Sequence, residues 1–324
     1  MAKLPRMSID SARASSEQRD SARDHGPSFV AANGIRLGYD TFGSPADPPL
    51  VLIMGLATQM IMWDEDFCRA LAARGRYVVR FDNRDIGVSS RLVESRPPSM
   101  ADILMTAVTR SPVRARYTLL DMAKDTLGLF DALGFRSAHV VGISMGGAIG
   151  QELAIHFPER VRTLTAIMSS TGDPKLPPPT MPAMRVLFAR PKIGDRESYL
   201  RHFLKTWRTL TGNRFPFDEQ RTRRQGEISY ERGPNPAGAA RQMLAIVASG
   251  NRRDALRLVK APTLVIHGTN DPLVRFAAAP DLVRAIPGAK LLAIDGMGHT
   301  LPRPVWPQIV DAIAEHTRER DPSS

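Results

Sequence analysis

The stretch Ala138-His-Val-Val-Gly142-Ile-Ser144-Met-Gly146-Gly147-Ala-Ile-Gly150 decides the fold. Its first half, Ala138 to Ile143, is a short apolar, β-branched run of the kind that forms a strand buried on both faces. From Met145 to Phe157 the pattern turns helical. Between the two stands Gly-x-Ser-x-Gly, Gly142 to Gly146. Composition alone would produce that pentapeptide about 0.1 times in a chain of this length, so the strand before it and the helix after it carry the reading. A serine on so sharp a turn takes strained backbone angles, and a side chain two residues before or after it would collide across the turn. Gly142 and Gly146 remove that collision, and Gly147 lets the helix approach the neighbouring strand. Ser144 is the candidate nucleophile of a nucleophile elbow.

Outward from this turn, short apolar runs alternate with amphipathic ones. Strands are expected at Leu50 to Met54, Tyr77 to Phe81, Ala138 to Ile143, Val161 to Met168, Thr263 to His267 and Lys290 to Ile294. Helices are expected at Asp64 to Arg74, Leu119 to Leu133, Met145 to Phe157, Ala278 to Ile286 and Val305 to Glu315. Such alternation builds parallel βαβ units with right-handed crossovers. Ahead of them, Phe29 to Ala32 and Ile35 to Phe42 flank Asn33-Gly34, whose preference for positive φ marks a hairpin. The expected architecture is α/β: an eight-stranded, mostly parallel sheet flanked by helices. No buried strand occurs from Gly172 to about Val259, where prolines punctuate amphipathic pieces such as Glu197 to Leu210 and Ala237 to Ser249. That interval, 172–259, is read as a helical cap inserted after strand 6, with the core formed by 28–171 and 260–318. Residues 1–27 and 319–324 are expected to be flexible tails.

A serine hydroxyl needs a base, and in chains with this elbow the base follows the last strand. Of seven histidines only His299, in Gly296-Met-Gly-His299, occupies that place. His139 and His267 fall in buried strands, and His156 and His316 near helix ends, where structural roles are expected. The base in turn needs an acid to hold its tautomer. Asp271 stands directly after the seventh strand and gives the order Ser, Asp, His; Asp173 after the sixth is the rival, and Asp295 is too near His299 in sequence to reach round it. The oxyanion would be met by backbone N–H groups: Met145, behind the nucleophile, and Leu56, in the turn after the third strand.

The chain has 324 residues and a net charge of +11. Between Gly172 and Arg257 stand 17 Lys and Arg against 8 Asp and Glu, a surplus of +9 in that one segment. These cations are spaced among apolar residues, without basic blocks or interleaved aromatics, which argues against nucleic acid and for a solvated face. Contact with a membrane surface is not favoured. No run approaches the ~20 apolar residues of a membrane span, and the single Cys68 permits no internal disulfide; a cytoplasmic protein is expected.

Met54-Gly-Leu-Ala-Thr-Gln-Met, Phe81-Asp-Asn-Arg-Asp-Ile-Gly-Val-Ser-Ser and Gly142-Ile-Ser-Met-Gly-Gly, together with the placed Asp271 and His299, resemble the α/β-hydrolase superfamily from Phe29 to Glu315. Within it they look like the aclacinomycin methylesterase-like and mycobacterial lipase/esterase branch. The resemblance implies hydrolysis of carboxylic esters with no cofactor. Two departures stand out: Met54-Gly55 replaces the usual His-Gly before the oxyanion donor, and Asp85 replaces a usual glycine. Asp82, Arg84 and Asp85 are read as a structural ion-pair loop. Leu56, Met145, Met60 and Trp207 are the expected substrate-binding residues, with Met62, Phe188, Phe203 and Phe215 as further apolar candidates. The expected ligand is a short to medium hydrophobic ester, and the expected assembly a monomer or homodimer. A serine at the elbow excludes the relatives that need a carboxylate there. It leaves open a lactonase, thioesterase or C–C bond hydrolase with the same triad, or a non-catalytic small-molecule binder.

Overall fold

The computed structural model describes residues 27–93, 115–189 and 193–318. The expected tails lie outside them, apart from Pro27. Eight strands form one sheet: β1 (Ser28–Ala32), β2 (Ile35–Phe42), β3 (Pro49–Ile53), β4 (Tyr77–Phe81), β5 (Ala138–Ile143), β6 (Val161–Ile167), β7 (Thr263–Gly268) and β8 (Lys290–Ile294), in the order β1-β2-β4-β3-β5-β6-β7-β8. Asn33 and Gly34 both take positive φ, at 49° and 76°, and close the antiparallel β1–β2 hairpin. Strand β2 also runs antiparallel to β4, and every later pairing is parallel.

Helices α1 (Glu65–Ala72), α2 (Leu119–Ala132) and α3 (Met145–His156) precede β6; α4 (Met181–Phe188), α5 (Arg196–Thr211), α6 (Glu219–Glu231) and α7 (Pro236–Ser249) stand between β6 and β7; α8 (Ala278–Ala285) and α9 (Trp306–Arg318) complete the core. Strand alternation sends Val51 and Ile53 into one core cluster, with Met122 and Phe130 of α2, Ile149 and Leu153 of α3 and Leu282 of α8. Leu50 and Leu52 enter the other, with Phe67 and Leu71 of α1 and Ile309 and Ile313 of α9. Covering both faces explains why the strands read as unbroken apolar runs. Helix α2 begins where Thr118 and Asp121 form a reciprocal capping box, which satisfies two N–H groups the first turn would leave free.

Helices α4 to α7 are the cap. Their basic surplus is only partly a solvated face, because arginines of α6 and α7, with Arg232 just beyond α6, cross to acids of the core. Arg241 makes a bidentate pair with Asp85 at 2.7 and 2.8 Å, both side chains being buried. Arg232 meets Asp82, and Arg221 meets Asp64, the N-cap of α1, at 2.7 Å. The loop after β4 is thus an ion-pair loop, but its charges pair outward rather than with one another: Asp82 and Asp85 reach the cap, and Arg84 reaches Asp125 of α2 at 2.6 Å. Burial pushes the Asp82 carboxyl above its ordinary range despite Arg232. Burial pushes Asp85 the same way, yet the hydrogen bonds from Arg241, Leu92 N–H and Tyr117 hydroxyl outweigh it and hold Asp85 below that range. The lone Cys68 is buried in α1, which raises its thiol to about 12. Among the described residues no helix is long and apolar enough to cross a membrane.

Candidate active site

Ser144 leaves β5 and enters α3 at φ 54°, ψ −117°, a backbone conformation costing a non-glycine residue about 1–3 kcal/mol. The surroundings enforce it. Its N–H donates to Ile167 O of β6 at 2.8 Å, and the Ser169 hydroxyl donates to its carbonyl at 2.9 Å. A methyl group on Gly142 would stand 2.2 Å from Gly146 O, and one on Gly146 2.1 Å from Ile53 O. One on Gly147 would meet Ser169 Cβ at 2.6 Å. The elbow is therefore closed by backbone against backbone, and the small residues that marked it in the sequence are a steric requirement.

Asp271 and His299 lie on the turns after β7 and β8 and meet through Oδ2 and Nδ1 at 2.7 Å, with the carboxylate fully buried. The other oxygen, Oδ1, accepts the N–H groups of Leu273 and Val274, each at 2.8 Å. His299 is fixed from the cap as well, since its backbone N–H donates to Leu210 O in α5 at 2.7 Å. Asp173 is elsewhere: its Oδ1 accepts Lys175 N–H at 2.9 Å and its other oxygen faces Arg253 at 3.9 Å. Asp295 is exposed and faces Arg214 at 3.7 Å.

His267 sits under this pair, the next-to-last residue of β7. Its Nε2 lies 2.8 Å from Val274 O and 3.5 Å from Asp271 Oδ2, while Nδ1 is buried without a hydrogen-bond partner among the described residues. Only a protonated Nε2 satisfies the carbonyl, and burial lowers the imidazole below its ordinary range despite Asp271, which favours the neutral ring. The sequence places His267 in a buried strand, and the turn that follows β7 brings Asp271 and Val274 back over its ring.

The turn after β3 lies against the elbow. A methyl group on Gly55 would be 3.4 Å from Ser144 Cβ and 3.9 Å from Ser144 Oγ. The amides of Leu56 and Met145 donate to no protein acceptor among the described residues, and that of Met145 stands at the N-terminus of α3, where unpaired N–H groups favour an anion. Ser144, His299, Leu56 and Met145 all border one cavity of about 1650 Å³, enclosed mainly between the sheet and the cap. Trp207, Phe203 and Phe188 of the cap also line it. Two expected pocket residues do not. Met60 is fully buried in a single 3-10 turn, its N–H donating to Asp82 Oδ1 at 2.7 Å, and Met62 lines the cavity instead. Phe215 packs against the core cluster of Leu50 and Leu52, and Phe217 takes the wall. Helical and strand periodicity cannot resolve such shifts of two residues within irregular segments. The sequence also gave no signal for Gln242 of α7, which is buried with its amide on the turn that holds Leu56.

A strained serine at a strand-to-helix turn, under a parallel sheet with a helical cap, defines the α/β-hydrolase class, and the chain belongs to that family: the family described as alpha/beta hydrolase fold matches residues 48–302. Its relatives include two methylesterases. The rhodomycin D methylesterase DauP of Streptomyces sp. (strain C5) is 30% identical over 308 residues, covering 90% of this chain and 97% of the relative. The rhodomycin D methylesterase DnrP of Streptomyces peucetius is 31% identical over 310 residues, with the same coverage. A crystal structure of a hydrolase from Pseudomonas aeruginosa PA01 superposes with a TM-score of 0.65 at 26% identity, over 91% of this chain and 99% of that one. The protein is a hydrolase of the carboxylesterase type.

Proposed function

We propose that the protein hydrolyses carboxylic esters through a covalent acyl-enzyme on Ser144. The observation that carries this reading is the convergence on one cavity of a strained serine and a histidine held by a buried carboxylate. With Nδ1 committed to Asp271, Nε2 is the nitrogen of His299 left to take the Ser144 proton as Oγ attacks the ester carbonyl. The tetrahedral oxyanion is received by the N–H groups of Leu56 and Met145, each such donor being worth about 3–4 kcal/mol. The intermediate collapses, His299 returns the proton to the departing alkoxide, and the alcohol leaves. Water, deprotonated by His299, then attacks the acyl carbonyl; the carboxylic acid departs and Ser144 regains its proton. The small-molecule substrate is an ester with a hydrophobic acyl part. The methylesterase relatives support a methyl leaving group, and a cavity larger than the roughly 300–1,000 Å³ of ordinary ligand sites supports a bulky acid.

Turnover of a methyl ester and a p-nitrophenyl ester series by the wild type and by Ser144→Ala tests this, beside labelling with a fluorophosphonate. The expected result is turnover and labelling that Ser144→Ala abolishes. Unchanged turnover in Ser144→Ala removes the mechanism.

A further inference from the structure

Gln242 is a polar side chain of the cap that is fully buried, and among the described residues its amide hydrogen-bonds to backbone of the core. Its Oε1 accepts the N–H of Ala57 at 2.8 Å, and its Nε2 donates to the carbonyl of Arg84 at 2.9 Å. Ala57 is the residue after Leu56 and holds a positive φ of 56°, a conformation an alanine avoids unless its surroundings impose it. The peptide N–H that Gln242 grips therefore fixes the plane on the far side of Leu56. That plane and the left-handed turn together set the direction in which the Leu56 amide points.

The other end of the amide is equally constrained. Arg84 O belongs to the loop after β4, where Asn83 donates to Met54 O at 2.9 Å, holding the start of the same turn. Neighbouring Arg241 is locked to Asp85 by two hydrogen bonds. Gln242 is thus held in place by its own helix and by two adjacent loops, and it joins three segments distant in sequence at the point where the oxyanion would form.

We infer that Gln242 is a positioning residue of the oxyanion hole, supplied by the cap, so that the Leu56 amide is aimed only when α7 is seated. The inference rests on the ester-hydrolase reading above. It predicts that shortening or removing the amide loses transition-state stabilisation and leaves ground-state binding nearly intact, because only the oxyanion calls on the Leu56 N–H.

The test compares Gln242→Met, apolar and of similar volume, with Gln242→Asn, which keeps an amide one methylene short of the contact and guards against a variant that fails to fold. Circular dichroism and thermal melts establish folding. On a p-nitrophenyl ester, kcat is expected to fall about 10- to 100-fold with KM within about threefold, a part of the ~10²–10³ lost when a donor is removed outright. Inhibition by a trifluoromethyl ketone, whose hemiketal oxyanion occupies the same hole, should weaken by the same factor as kcat/KM. A folded variant that keeps kcat within about twofold overturns the proposal. So does one that raises KM alone, which would make Gln242 a wall of the pocket. Failure of the ester-hydrolase reading would appear separately, as turnover by Ser144→Ala in an otherwise wild-type chain.

Discussion

Asp271 commits its two oxygens to different partners: Oδ2 holds His299 Nδ1 at 2.7 Å, and Oδ1 is held by the N–H groups of Leu273 and Val274 at 2.8 Å each. The carboxylate cannot swing away from the imidazole without abandoning its own turn. Asp271→Asn keeps the shape but offers an N–H where His299 needs an acceptor. Its kcat should fall by about 10⁴. Asp173→Asn, whose carboxylate meets Lys175 N–H and Arg253 among the described residues, should stay within about threefold. Steady-state kinetics of the two variants on one ester decide this, and a loss confined to Asp173→Asn would reassign the acid.

The buried pair Arg241–Asp85 bolts α7 to the loop after β4. Removing one partner strands the other charge away from water, at a cost of about 3–5 kcal/mol. Arg241→Met should lower unfolding free energy by that much in urea titrations, while Arg241→Met combined with Asp85→Leu should recover a large part of it. A double variant no more stable than the single one would show that packing around Tyr117 and Leu92, not the charge, holds the joint.

His267 makes stability depend on pH. Burial keeps its folded-state value below the ordinary one, whereas in the unfolded chain it titrates near 6.5. Below about pH 6.5 the unfolded state therefore binds a proton that the folded state refuses, so stability falls as the pH drops and is flat above. In His267→Gln that contribution vanishes. The stability gap between wild type and variant should be smaller at pH 5 than at pH 8 in parallel denaturant titrations; a gap that does not move with pH speaks against a neutral buried imidazole.

Gly142→Ala and Gly146→Ala each place a methyl group about 2 Å from a backbone atom. Neither backbone can yield without opening the elbow, so both variants should lose activity, and destabilisation should exceed about 4 kcal/mol. Gly34→Ala is the contrast. Its methyl group meets nothing within 4 Å, and only the positive φ of 76° is at stake, worth about 1–2 kcal/mol. Thermal melts of the three variants should separate them clearly.

Much of the fold is legible in local patterns because it depends on local chemistry. Val51 and Ile53 against Leu50 and Leu52 show a strand buried on both sides, which reads as an apolar run whatever its neighbours. Asn33-Gly34 declares its hairpin through φ alone. The pocket is less legible. Met60 and Met62 are equivalent as sequence, yet a single 3-10 turn buries the first and exposes the second to the cavity. Arginines such as Arg221, Arg232 and Arg241 read as solvent-facing cations of a helical segment, and they pair with acids about 150 residues earlier in the chain.

The amino-acid order by itself determined the elbow at Ser144, the strand and helix succession around it, and Asp271 and His299 as the acid and base candidates, since steric exclusion at a sharp turn and side-chain periodicity act over a few residues. Only the tertiary structure decided which oxygen of Asp271 faces His299, and that Gln242 of the cap grips the turn bearing Leu56. Those relationships arise where β7 pairs with β8 and where α7 crosses the loops after β3 and β4. Contacts between segments far apart in the chain leave no periodic trace in either segment alone.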